Sequence, residues 1–425
     1  MTVPRPVPAA LTRTSTRYPL PLIALAVGML ISYLPELVPG SIGSSLSFLG
    51  WAVPLLGSSL FLFRSTRPIR FPLALWAPWA SYVIAYLFVA EANHALQRSV
   101  MLLTPVVVGA AFSKVRFDKG LVDTCRAWLG RFFWIFLVAA GLMTGLLAAG
   151  KLYSAAGFAS GSITASLLAA WFAACYATEG RVRTLICWAA LAAVPVLANT
   201  RTGMAAVALT LPLTFVPWPG KKRVAALAMI AIAGFFVFQS ARIQSKMFFS
   251  GHGSIQEAAQ GVASMLAGDE AANDDFATSG RIVINQVLVP RIEEAYWFGH
   301  GANTTEAISL AIADLPHPHN DWLRLRYEYG TVGMLAFFFT LIAQMIHGLR
   351  LARRLRIDLA VFLYAGAGAF LPMALFMFSD NVILYAAWFG NLQFAMLGLG
   401  YAALTSELNS RSTRRGANLE STTRP

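Results

Sequence analysis

The stretch GTVGMLAFFFTLIAQMIHG, Gly330 to Gly348, runs nineteen residues without one Asp, Glu, Lys or Arg. A helix of about that length crosses the roughly 30 Å hydrocarbon layer of a bilayer. Other apolar runs recur along the 425 residues, which are 57% hydrophobic and only 12% charged. A soluble protein carries roughly twice that charged share. The expected fold is therefore all-α, a polytopic membrane protein.

Outward from that stretch, the apolar runs give about twelve candidate transmembrane helices, several of them short. Helices 1–9 fall within residues 1–239. Helices 10–12 fall within 330–405, and a tail over 406–425 is expected to be disordered and cytoplasmic. Gly203–Trp218, Leu359–Phe378 and Ile383–Leu404 are each read as one span. Between helices 9 and 10, residues 240–329 form a long outward loop. Ile255–Leu266 and Glu306–Leu315 within it look like short amphipathic helices suited to a membrane surface. A loop of that length in a compact chain is usually functional.

The net charge of +13 suggests nucleic acid in a soluble protein. Here the basic residues lie between apolar runs, so they read as topology signals, and no nucleic-acid partner is expected. Arg5, Arg13 and Arg17; Arg64, Arg67 and Arg70; Lys114, Arg116, Lys119 and Arg126; Arg181 and Arg183; Lys221, Lys222 and Arg223; Arg350, Arg353, Arg354 and Arg356; and the tail arginines all fall on one side. That side is the cytoplasm, with both termini in it. The N-terminus has no short apolar core with a small-residue cleavage site, so the first span is expected to stay as an anchor. Cys125, Cys175 and Cys187 lie in or beside spans at no metal-ligand spacing, and neither a disulfide framework nor a metal site is expected.

Basic residues are rare in the short outward turns, so each one there carries information. Arg201 sits in Asn199-Thr200-Arg201-Thr202-Gly203, and Arg281 follows Thr278-Ser279-Gly280 at what reads as a capped helix start. Just before Gly330 comes His317-Pro318-His319-Asn320-Asp321-Trp322-Leu323-Arg324. His319 precedes a helix beginning near Asp321, and a helix N-terminus favours a neutral imidazole, the form able to take a proton. Arginine's planar fork fits phosphate oxygens. Two guanidinium groups and one base on the outer face suggest a lipid-linked pyrophosphate: Arg201 and Arg281 hold the leaving group while His319 deprotonates an incoming hydroxyl. His317 is read as orienting the turn, with the base role as its alternative. Arg324 and Glu328, four apart, read as a pair on their helix, Arg324 with phosphate binding as its alternative. Arg98, at the outward end of a span, reads as snorkelling, and Asp274-Asp275 and Asp380-Asn381 as solvated loop residues.

His319-Asn320, Leu323, Glu328, Gly330 and Gly333 together resemble the O-antigen ligase and polymerase superfamily. Ser279-Gly280-Arg281, Trp297-Phe298-Gly299-His300-Gly301 and the Arg201 turn resemble that family's other periplasmic stretches. The resemblance implies a glycosyltransferase of the bacterial inner membrane with a periplasmic active site. It implies a donor glycan on undecaprenyl pyrophosphate and, for a ligase, a sugar hydroxyl of lipid A core as acceptor. It further implies His319 as the catalytic residue, Arg201 and Arg281 as pyrophosphate ligands, supporting roles for His317, Asn320, Arg324 and Glu328, and action without metal or cofactor. Two other readings stay open: a repeat-unit polymerase, and a lipid-linked glycan transporter, a class that calls for charged groups or broken helices near the midplane.

Overall fold

A computed structural model describes residues 19–33, 41–88, 94–148, 156–198, 200–216, 218–267, 275–276, 281–313, 317–384 and 389–422. Among them every named element is helical, and the one extended pairing is the isolated bridge between Phe248 and Phe276. The first half holds α1 (Leu20–Tyr33), α2 (Ser41–Arg64), α3 (Leu73–Tyr86), α4 (Ala95–Ser113), α5 (Lys119–Ala148), α6 (Ala156–Glu179) and α7 (Val182–Leu197). Then come α8 (Arg201–Ala208), α9 (Leu211–Thr214) and α10 (Gly220–Phe238). The long loop folds into α11 (Ala241–Met247), α12 (Ile255–Ala267), α13 (Arg281–Glu294) and α14 (Thr305–Ala313). The chain ends with α15 (Asp321–Ala352), α16 (Ile357–Gly368), α17 (Phe370–Phe376) and α18 (Gly390–Thr422).

Five helices among the described residues are long and apolar enough to cross a membrane: α4, the Gly120–Gly145 part of α5, the Gly161–Glu179 part of α6, α15, and α16 continuing into α17. Leu20–Ser32, Phe48–Arg64 and Val182–Leu197 are apolar but shorter. The chain is a helical membrane protein. Two expected spans are not single helices. Gly203–Trp218 breaks into α8 and α9, where Pro212 has no amide to continue the ladder. Leu359–Phe378 stands as one apolar helical span, Ile357–Phe376, with a local turn at Ala369 where the Pro372 ring opposes the carbonyl four residues back. In Ile383–Leu404 the helix described is α18 from Gly390, while residues 382–384 form a turn whose Ile383 amide is taken by the Asp321 carboxylate at 2.8 Å. The tail expected to be disordered continues α18 to Thr422, an extension that needs no new helix nucleus.

Lipid offers apolar side chains no reason to turn inward, so close backbone approach and polar ties hold the bundle. Helices α4, α6 and α16 form its buried centre, with α18 packed against α4 and α16. A Cβ on Gly398 would lie 2.3 Å from the Gly109 oxygen of α4, so only glycine permits that crossing. Gln344 of α15 accepts from Trp76 Nε1 at 3.0 Å and donates to Tyr401 Oη at 2.8 Å, tying α3, α15 and α18. Outside the bundle, Ile284, Leu288 and Ile292 repeat every four residues along α13, one helical stripe. That stripe packs on Leu323 and Tyr327 of α15 and sets the loop against the start of that helix.

Candidate active site

The site is organised by a break in α15 at Gly330, whose φ of 68° and ψ of −179° interrupt the helix. The break frees amides that the turn after α13 takes up. Thr331 N donates to Tyr296 O at 2.9 Å and Val332 N to Trp297 O at 3.2 Å. In return, His300 N donates to Tyr327 O and Gly301 N to Glu328 O, both at 2.9 Å. Gly299, at φ 74°, lies against Gly330: a Cβ on either would come within 2.4 Å of the other segment's backbone. The two glycine motifs of the sequence are thus two halves of one crossing.

Above the break, α15 buries charge. Asp321, Arg324 and Glu328 are 0%, 2% and 1% exposed. Arg324 lies 3.4 Å from Asp321 Oδ1 and 3.4 Å from Glu328 Oε2. Thr305 of α14 donates its hydroxyl to Glu328, and the Ile383 amide bonds Asp321. The pairing of Arg324 with Glu328 expected from spacing is present. It is a buried clamp that joins α14, α15 and the turn after α17, rather than a pair on an exposed face.

The turn before α15 carries both histidines. Asn320 is the helix cap, its Oδ1 accepting from Leu323 N at 3.0 Å. His319 sits at φ 50°, a left-handed conformation uncommon outside glycine and enriched at functional turns. Its Nδ1 lies 3.4 Å from Asp380 Oδ1 and 3.3 Å from the Asn381 amide. The carboxylate can only accept and so favours the tautomer with the proton on Nδ1. The Asn381 side-chain nitrogen, a donor, agrees with that tautomer only when its amide is turned so that Oδ1, buried with no partner among the described residues, faces the ring. Nε2 then keeps its lone pair and has no hydrogen-bond partner among the described residues. His317 differs. Its Nε2 lies 3.3 Å from the Arg98 guanidinium, which can only donate, so that nitrogen is already engaged as an acceptor. Arg98 also lies 3.9 Å from Glu306, to which Asn303 donates at 2.6 Å.

Three sequence readings are corrected by this geometry. Arg98 is held by His317 and Glu306 instead of snorkelling. Asp380 and Asn381 are 7% and 0% exposed, so neither is a solvated loop residue. Nothing marked these residues beyond their polarity at the outward ends of apolar runs. Their partners lie 219, 61 and 62 positions away in sequence.

Arg201 is the first residue of α8, where a positive charge opposes the helix dipole. Its turn is seated on α6 through the Ser162–Thr200 hydroxyl pair at 2.6 Å, and a Cβ on Gly203 would meet Ser162 at 2.7 Å. The Arg201 guanidinium carbon stands 5.9 Å over the Phe276 ring, cation–π distance. Phe276 is held by its bridge to Phe248, and the Asp275 carboxylate accepts from Ser250 N at 2.6 Å. The Ser250 hydroxyl bonded to Asp275 holds that carboxyl below its usual range. Arg201 therefore sits against Phe276, which precedes Arg281 in the chain. Its helix also packs on α17, after which come the partners of His319. The side chain of Arg281, Asn199, Asp274, Thr278–Gly280 and Arg5, Arg13 and Arg17 lie outside the described residues. Arg281 begins α13 by its backbone.

Residues 185–338 match the family model described as O-antigen ligase. The resemblance to the O-antigen ligase superfamily holds. No curated protein matches the chain. The O-antigen ligase match takes in Arg201, Arg281, His317, His319, Asn320, Arg324 and Glu328 and ends inside α15. Arg98, Asp380 and Asn381 lie outside it, on flanking helices and turns that complete the histidine turn.

Proposed function

We propose that the protein is an O-antigen ligase. It transfers polysaccharide from undecaprenyl pyrophosphate to a sugar hydroxyl of lipid A core, with inversion and without a metal. The observation that carries this reading is the His319 imidazole, its Nδ1 beside Asp380 and its Nε2 open, within a segment of O-antigen ligase type. His319 Nε2 removes the acceptor proton as the oxygen attacks the anomeric carbon from the face opposite the pyrophosphate. Arg201 and Arg281 hold and neutralise the departing pyrophosphate. His317 is not the base, because Arg98 occupies its Nε2. Asn320, Arg324 and Glu328 hold the turn in place.

The reading carries a topology with it: about twelve crossings of the bacterial inner membrane, both termini cytoplasmic, the turn at His319 periplasmic. The test is transfer by the purified protein in detergent from a defined polyprenyl-pyrophosphate glycan to lipid A core. Product on the core, at a rate abolished by His319→Ala, is the expected result. Cells lacking the protein separate ligase from polymerase. Long polymer left on the carrier is expected, whereas a single repeat on the core would make it a polymerase. Transfer that requires a sealed membrane would point instead to transport.

A further inference from the structure

A cavity of about 330 Å³ opens along one face of α15, lined in part by Tyr296, Asn320, Trp322, Arg326, Thr331 and Met334. That volume is at the small end of ligand sites. Its walls are fixed. Thr331 N is bonded to Tyr296 O, and the Trp322 indole nitrogen donates to Ala374 O at 3.0 Å. Its polar groups are not used up. Thr331 Oγ1 is buried with no hydrogen-bond partner among the described residues. Asn320 spends its oxygen on the helix cap, which leaves the amide nitrogen to donate. Arg326 lies 5.1 Å over the Tyr296 ring and 3.8 Å from Glu293, so its charge is already balanced while its other donors remain.

We infer that this cavity holds the acceptor sugar, an inference that rests on the ligase reading above. A pyranose offers apolar C–H faces and a rim of hydroxyls, each both donor and acceptor. Aromatic walls bearing an amide, a hydroxyl and a guanidinium match that chemistry. An isoprenoid tail has no use for these polar groups. A phosphate would need positive charge that Glu293 has already matched. The choice of acceptor over donor sugar follows from sequence adjacency: Asn320, which lines the cavity, is next to the base that must reach the acceptor hydroxyl.

Trp322 packs on Phe337, Phe338 and Phe378, so its replacement would risk the fold. Arg326→Gln and the near-isosteric Thr331→Val are the informative variants. Purified full-length protein in detergent is titrated by calorimetry with lipid-free core oligosaccharide, and separately with the donor repeat oligosaccharide and with inorganic phosphate. The expected result is core oligosaccharide binding that each variant weakens at least tenfold, with acceptor KM raised equally and donor KM unchanged. Unchanged affinity and acceptor KM in variants that melt like the parent would overturn the assignment. So would binding of the donor repeat or of phosphate in place of the core sugar. Core sugar binding that depends on Arg326 and Thr331, in a protein that transfers nothing, would keep the cavity and remove the ligase reading.

Discussion

At the scale of single residues, the two histidines of one turn are separated by what touches them. His319 has a carboxylate at Nδ1 and an open Nε2, while His317 has its Nε2 under a guanidinium. A general base supplies roughly 10²–10⁴-fold, so His319→Ala should lower transfer by at least about 10²-fold with membrane insertion intact. Rates on purified, correctly inserted protein check this. Asp380→Asn should lower kcat without raising donor KM, because it loosens the imidazole and touches no phosphate. On the proposed reading His317 serves as an acceptor for Arg98 and not as a base. His317→Gln should therefore keep most of the activity that His317→Ala loses. Equal loss in both would return the base role to His317.

At the scale of elements, the break in α15 and the turn after α13 make a single crossing. Left-handed backbone at a non-glycine residue costs about 1–3 kcal/mol even without a clash. At Gly299 and Gly330 the added Cβ would also strike backbone that cannot move aside. Gly330→Ala should therefore destabilise the protein by about 2 kcal/mol or more, read as a lowered melting temperature in detergent. The clamp above it is sensitive in another way. Removing one partner of a buried charge cluster costs about 3–5 kcal/mol. Arg324→Leu, leaving Asp321 and Glu328 facing each other unneutralised, should cost in that range and unseat α14. A melting point within a degree or two of the parent would show that the clamp carries no stability.

At the scale of the whole molecule, arrangement across the membrane decides whether the site can work at all. Lys114 caps the C-terminal end of α4, and Arg98 near the other end of that helix meets His317. In a background lacking Cys125, Cys175 and Cys187, a cysteine placed at Ser254 should react with a membrane-impermeant maleimide in intact cells with a permeable outer membrane. One placed at Lys221 should react only after the inner membrane is opened. Labelling in the opposite order would put the imidazole on the cytoplasmic face and end the assignment. The bundle that carries this orientation is held by glycine contacts and by polar ties such as Trp76–Gln344–Tyr401.

The sequence by itself determined the helical membrane character, the long loop between spans, the cap and helix start at Asn320–Asp321, and the histidine and arginine turns that resemble those of the O-antigen ligase superfamily. These are local properties: apolar run length, residue type at a turn, charge on one side of a span. It missed the break at Pro212 because run length outvoted the proline. Only the tertiary structure decided what each histidine touches, that Asp380 and Asn381 are buried beside His319, and that Trp297–Gly301 and Glu328–Gly333 interlock. Those facts depend on hydrogen bonds between residues far apart in the chain. No periodicity or propensity encodes such pairs, since each partner alone looks like an ordinary polar residue at the end of a membrane helix.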